Sequence, residues 1–370
     1  MSASLESTVP VIADILERLQ AQFFASLPDT PGALGSIAYQ CNDEIETFII
    51  GQQLKATVPP PAVDSRFLVM SVTKSLTAVA VLRLVETGAL ELDRPLSQWM
   101  PDIPHASRIT VRHLLQHTSG LPDYGPLADY HEAVRRGDRL WTFDEFLKRT
   151  NSKELRFEPG QGWSYSNIGY MLLRRLLQTV RKRSFAESIT AEVCRPLNLP
   201  HTAVVENKAQ LQGLIPGYSH YLADKNAPVV EVRDHYDPAW IATGVVASTA
   251  SDIVRFYRGL FTGTLLSHRW LDEMCRTRRA VDKHPGFVTP SYGLGLMADP
   301  DCPFGAMYGH NGEGPGYSAS AFHFRSSARG ASNDVTVAVL SNTENTEETG
   351  TMMLALAEAL TKRRDHRSLA

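Results

Sequence analysis

Ser71, Val72, Thr73 and Lys74 open a long apolar run, and the spacing of three puts the serine and the lysine on one helical face. A serine hydroxyl needs a proton acceptor before it can attack a carbonyl. A lysine buried in apolar surroundings can serve, because desolvation depresses its pKa and leaves the amine free to take the hydroxyl proton. The start of the same helix points backbone N–H groups at an oxyanion forming on Ser71. A second group, Tyr165-Ser166-Asn167, follows a stretch rich in Gly and aromatics from Phe157 to Trp163. A tyrosine beside a lysine ammonium is expected to have its pKa lowered and to act as base or proton shuttle. Asn167 can donate to a substrate carbonyl and accept from a substrate amide. The third group is His310-Asn311-Gly312, expected at a strand end. There the glycine would let a substrate backbone approach the strand edge, and the histidine could bond the ligand or tune the Lys/Tyr pair.

Each group alone has an ordinary structural explanation: a helix-capping serine, a snorkelling lysine, a core tyrosine, a surface histidine. Together they describe nucleophilic catalysis. Other hydrolytic and nucleotide-binding signatures are missing from the sequence, among them Gly-x-Ser-x-Gly, His-Glu-x-x-His and a P-loop ending in Lys-Ser/Thr. The run Gly312, Gly314, Gly316 lacks dinucleotide-binding spacing and reads as a turn between strands.

Elements must bring the three groups together. Apolar spacing predicts an opening helix over 8–26, then a hairpin of strands 34–40 and 46–51, then a Pro-rich loop over 55–63. Residues 71–87 predict a helix apolar on most sides, stopped by Gly88, hence interior. Further helices are expected at 111–116, 142–150, 167–180, 184–194 and 249–262. Strands are expected at 292–297, 305–310, 317–324 and 335–341, and a closing helix at 346–363. Two strands at the start and about four at the end imply an α/β (α+β) protein. Its one antiparallel sheet is assembled from both chain ends and flanked by terminal helices, with a helical insertion between. The expected division is a sheet lobe of residues 1–70 and 276–370 and a mainly helical lobe of 71–275, with the active site in the cleft.

The 370 residues carry 37 Lys+Arg against 40 Asp+Glu and are 43% apolar, ordinary for a packed chain. A net charge of −3 offers no pull toward nucleic acid or an anionic membrane, so neither partner is expected. The basic cluster Lys362, Arg363, Arg364, Arg367 follows an apolar helix and reads as a solvated helix end. Four scattered cysteines (Cys41, Cys194, Cys275, Cys302) lack zinc or disulfide spacing and suit free thiols in a reducing compartment. No metal or other cofactor is expected. With no apolar leader or ~20-residue apolar span visible, a cytoplasmic protein is expected.

The three groups, in this order and in this context, resemble the penicillin-recognising serine hydrolases: class C β-lactamases, DD-peptidases, D-aminopeptidases and related esterases. Supporting stretches are Leu114–Pro122, Phe157–Leu173, Gly244–Asp252 and Tyr308–Tyr317, and the likeness runs over roughly residues 8–360. It implies a β-lactamase/transpeptidase-like fold with a sheet of five or so strands. It further implies Ser71 as acyl-forming nucleophile, Lys74 as its proton partner, Tyr165 as general base and then acid, and Asn167 as substrate orienter. The backbone N–H groups of Ser71 and Glu313 would form the oxyanion hole, and the loop 118–125, with Tyr124, would line one wall. Class C β-lactamases usually open the third motif with a lysine; His310 stands here, as in the esterases, DD-peptidases and D-aminopeptidases. The expectation is a serine hydrolase acting on a small ester or amide. The alternatives are an acyltransferase using the same acyl-enzyme, a weak β-lactamase or DD-peptidase, and a non-catalytic binding protein on the same scaffold.

Overall fold

The computed structural model describes residues 9–25, 30, 32–41, 44–51, 61–224, 227–326 and 334–368. Most of the expected loop 55–63, the turn residues Asn42 and Asp43, and the side chains of the basic end beyond Lys362 lie outside the described residues.

Eight strands form one antiparallel sheet. They are β1 (Leu34–Cys41), β2 (Glu44–Gly51), β3 (Arg278–Arg279), β4 (Ser291–Tyr292), β5 (Met297–Asp299), β6 (Ala306–Gly314), β7 (Tyr317–Arg325) and β8 (Val335–Ser341). Their order across the sheet is β2-β1-β8-β7-β6-β5-β4-β3, so the N-terminal hairpin joins the C-terminal strands through β1 and β8. The period-two alternation of the strands sorts residues by size. One face carries Ala38, Ala319, Ala321 and Ala338, which admit a helix closely. The other carries Ile37, Tyr39, Phe322, Phe324, Val337 and Val339, covered by the helices α1 (Val9–Ala25) and, at the chain's end, residues 346–368. Ile15, Leu16, Leu19 and Phe23 of α1 are buried there.

The inner face meets the helical middle of the chain. Its axis is α2 (Thr73–Glu86), buried almost all round from Thr73 to Val85, as its composition predicts. Around it lie α3 (Val111–Leu115), α4 (Asn167–Arg181) and α5 (Ala250–Phe261). A small three-stranded sheet pairs Phe67–Leu68 with Val246–Ser248, and Val69 N–H extends the pairing to Val246 O at 2.9 Å. That pairing anchors the chain immediately before Ser71. Among the described residues no helix is long and apolar enough to cross a membrane.

The sheet is wider than the expected five or so strands, because two-residue strands such as β3 and β4 are too short to show a periodic pattern. The expected strand 292–297 is two strands split at Gly293–Leu296. Gly295 sits there at φ +80, and a Cβ on it would meet Ala78 Cβ at 2.2 Å. Only glycine turns the chain this close to α2. The third group does not end a strand: β6 pairs with β7 without interruption from Ala306↔Arg325 to Gly314↔Tyr317. Gly312 and Gly314 are therefore strand residues, and the turn is Pro315-Gly316. Ladder pairing overrides the poor strand preference of glycine.

Candidate active site

Ser71 is the middle residue of a single 3₁₀ turn, Met70–Val72, that runs into α2. Met70 is held at φ +48, a left-handed conformation that costs a non-glycine residue ~1–3 kcal/mol and persists only where the surroundings dictate it. They do so here. Val69 is tied to Val246, and β6 presses on the turn from the other side: a Cβ on Gly312 would lie 2.5 Å from Val69 O and 2.7 Å from Ser71 N. The close approach permitted by Gly312 is thus to the protein's own serine turn. The sequence had suggested a substrate backbone in that space. Ser71 itself stays half-buried and reachable.

Lys74 lies one turn on, fully buried, with Nζ 3.0 Å from Ser71 Oγ and 3.3 Å from Thr243 Oγ1. Burial lowers its pKa to about 7, partly offset by the charge of Asp123. The neutral amine is then accessible near pH 7 and able to accept the Ser71 proton. Thr243 donates to Asn167 Oδ1 at 3.1 Å. Asn167 in turn donates to Asp123 from its backbone N–H (2.8 Å) and from Nδ2 (3.3 Å). Lys74, Thr243, Asn167 and Asp123 form one polar chain that runs from the buried amine to a half-buried carboxylate.

Asn167 is the first residue of α4, and Ser166 caps it, accepting from Gly169 N–H and donating to Pro122 O. The cap fixes Tyr165 on the other side of Ser71, its hydroxyl donating to Ser71 Oγ at 2.9 Å. The expected lowering of the Tyr165 pKa is reversed. Burial dominates and holds it above the ordinary phenol value, while the Ser71 hydrogen bond pulls down only in part. Tyr165 is a protonated phenol, and the loosened proton belongs to Lys74.

His310 lies inside β6, 1% exposed, with its ring 6.3 Å from that of Tyr165. Its Nδ1 donates to the carbonyl of Asn311, and its Nε2 accepts from the Tyr292 hydroxyl at 2.9 Å. Both ring nitrogens are engaged inside the protein, which leaves none for the ligand hydrogen bond the sequence suggested. Burial, with Lys74 nearby, pushes its pKa down to about 3, so the ring is neutral. Buried His117, packed 4.3 Å from Tyr165, is held neutral in the same way. Asn311 is half-buried beside them. The exposed Glu313 carboxylate accepts from Tyr221 Oη at 2.5 Å and from Thr346 N–H at 2.8 Å.

Two cavities open on Ser71. One, of about 500 Å³, is lined by Trp163, Tyr165, Tyr292, His310 and Asn311 and reaches to Met353 and Leu354 of the terminal helix. The other, of about 160 Å³, is lined by Tyr124, Tyr130, Asn167, Ile241 and Thr243. Ser71 and Glu313 border both, and among the described residues no lysine or arginine lines either. All nine residues singled out from the sequence therefore converge on one cleft. Asp123 and Thr243 were missed, although Asp123 lies in the loop 118–125 already implicated and Thr243 immediately precedes the stretch Gly244–Asp252.

Comparison with known proteins gives the family. The Beta-lactamase family model matches residues 22–361. A penicillin-binding protein of Bacillus subtilis (strain 168) is 26% identical over 309 residues, covering 81% of this chain and 65% of that protein. Esterase EstB of Burkholderia gladioli is 29% identical over 272 residues, covering 70% of this chain and 66% of that one. The chain thus spans just under two thirds of the length of either. Among solved structures, a D-stereospecific amidohydrolase from Streptomyces sp. superposes with a TM-score of 0.76 at 27% identity, over 90% of this chain and 97% of that chain.

Proposed function

The chain belongs to the β-lactamase family, and on that premise we propose that it is a serine hydrolase cleaving a small ester or amide through an acyl-enzyme on Ser71. One observation carries the reading: Ser71 Oγ has Lys74 Nζ at 3.0 Å and Tyr165 Oη at 2.9 Å, with the lysine pKa near 7. Neutral Lys74 takes the Ser71 proton as Oγ bonds to the substrate carbonyl carbon. The backbone N–H groups of Ser71 and Glu313 hold the oxyanion. As the C–O or C–N bond breaks, Tyr165 gives its proton to the leaving group and is reprotonated from the Lys74 ammonium. Water then reverses the steps to release the acid. Asn167 and Tyr124 orient the acyl side, while His310, Asn311 and Gly312 shape the opposite wall.

The names of the esterase and amidohydrolase relatives support esters and amides as substrates. A β-lactamase reading is less well supported. Neutral His310, and cavities without lysine or arginine, offer no cation for a substrate carboxylate. Four free cysteines suit a reducing compartment, the cytoplasm. We keep residues 1–70 with 276–370 and residues 71–275 as the two lobes, since the strands of the large sheet fall within 34–51 and 278–341.

The test is a panel of p-nitrophenyl esters, D- and L-aminoacyl anilides and a chromogenic cephalosporin, run with and without an added alcohol or amine, together with fluorophosphonate labelling. One adduct on Ser71 and hydrolysed short esters support the proposal. Labelling of another serine overturns it, and capture of the acyl group mainly by the added nucleophile makes the enzyme an acyltransferase.

A further inference from the structure

The two cavities differ threefold in volume, and the reacting groups are divided between them. Tyr165, the group placed to protonate the leaving atom, lines the large cavity and not the small one. Asn167 and Thr243 line the small cavity and not the large one. Ser71 and Glu313 border both, so a scissile carbonyl over Ser71 has its leaving group toward Tyr165 and its acyl chain toward Asn167.

A cavity of ~150 Å³ is about what one benzene ring fills. The small cavity, about 160 Å³, is of that order and is stiff. Its floor is Tyr124 and Tyr130, with ring centroids 4.8 Å apart, braced in turn by Phe146 and Trp240. Close-packed aromatic walls do not yield to a larger group without loss of packing. The large cavity, about 500 Å³, falls in the range of ordinary ligand sites and is walled mainly by apolar side chains, including Phe287 and Leu354. Besides the phenols of Tyr165 and Tyr292, the ionisable groups on its wall are carboxylates and imidazoles, with no lysine or arginine, which disfavours an anionic occupant.

Building on the acyl-enzyme reading above, we propose that the substrate joins a small acyl group, no larger than about one six-membered ring, to a larger, apolar, non-anionic alcohol or amine. The acyl group occupies the small cavity and the leaving group the large one.

Two constitutional isomers test this, 2-naphthylmethyl acetate and methyl 2-naphthylacetate. They carry the same ring system on opposite sides of the ester, and both release a primary alcohol. The expected result is kcat/KM at least ~10-fold higher for the acetate. Ile241→Ala, which enlarges the small cavity, should raise the rate of methyl 2-naphthylacetate. Leu354→Trp, which narrows the large cavity, should lower the rate of the acetate. Both variants are checked by circular dichroism and melting temperature. Equal rates or the reverse preference, with an acyl adduct on Ser71, overturn the seating alone. Fluorophosphonate labelling of Ser71 with no turnover of either isomer also overturns the seating alone. No adduct from either ester or from the fluorophosphonate overturns the hydrolase reading itself.

Discussion

The two walls that meet at Ser71 handle charge in opposite ways. On the helical wall, buried Lys74 is joined to half-buried Asp123 through Thr243 and Asn167, and burial brings the lysine pKa to about 7. On the sheet wall, the corresponding buried groups are His310 and Tyr292, joined in a neutral pair with the histidine pKa near 3. One wall keeps a proton that can be moved, and the other keeps none. What the sheet wall contributes is position: Gly312 lies against the serine turn, and Glu313 is clasped by Tyr221 and Thr346. Changes on the helical wall should therefore alter the chemistry within an intact fold. Changes on the sheet wall should alter geometry and leave the proton inventory as it is.

The largest effect is expected at the junction. Ser71→Ala should abolish turnover and labelling while the melting temperature stays near that of the parent, because Ser71 is half-buried and its side chain caps nothing. Residual turnover above ~1% would place the nucleophile elsewhere. On the helical wall, Lys74→Arg and Tyr165→Phe should each cost at least ~10²-fold in kcat/KM, and the double variant little more than the worse single one. Additive losses would mean that the two residues work independently.

Lys74→Met extends that test to stability. Folded Lys74 binds its proton less tightly than the unfolded residue does, with a pKa of about 7 against 10.5. Between those values the unfolded state holds more protons, so parent stability rises with pH across the window. At pH 7 the parent bears the cost of a partly charged buried amine, and a methionine does not. The variant should be inactive yet melt at or above the parent temperature, with the pH slope removed. A melting temperature well below that of the parent would make Lys74 a structural residue.

On the sheet wall, Gly312→Ala should cost ~10- to 10²-fold in rate by displacing β6 from the serine turn, since small misplacements of a reacting group carry penalties of that size. Its pH profile should match that of the parent. A displaced profile would show that the sheet wall does set the proton inventory.

Local patterns carried the features that are written locally. The Ser71/Lys74 spacing, the apolar face-to-face character of α2, the Ser166 cap before Asn167 and the alternation in β7 and β8 all depend on near neighbours in the chain. The features that escaped depend on what distant segments bring. Tyr165 next to a lysine suggests a lowered pKa, but burial by residues from distant parts of the chain decides the sign. His310 looked available until Tyr292 took its Nε2. Asp123 and Thr243 are unremarkable in sequence and become part of the site only because α4 brings Asn167 between them. Glycines at 312 and 314 look like a turn until β7 supplies nine consecutive partners.

The smallest expected effect is also the most direct comparison of the walls. If neutral Lys74 is the base, kcat/KM should rise with pH in a single step to a plateau, with its midpoint near 7. Asp123 lies close enough to favour the ammonium, so Asp123→Asn, nearly isosteric and still able to accept from Asn167 N–H, should move that midpoint down. His310→Gln exchanges one neutral group for another beside Tyr292 and should leave the midpoint where it is. Rates measured from pH 5 to 9 on the three proteins decide the matter. A midpoint that follows His310 and ignores Asp123 would put the titrating group on the sheet wall, and the division of labour between the two walls would be the reverse of the one drawn here.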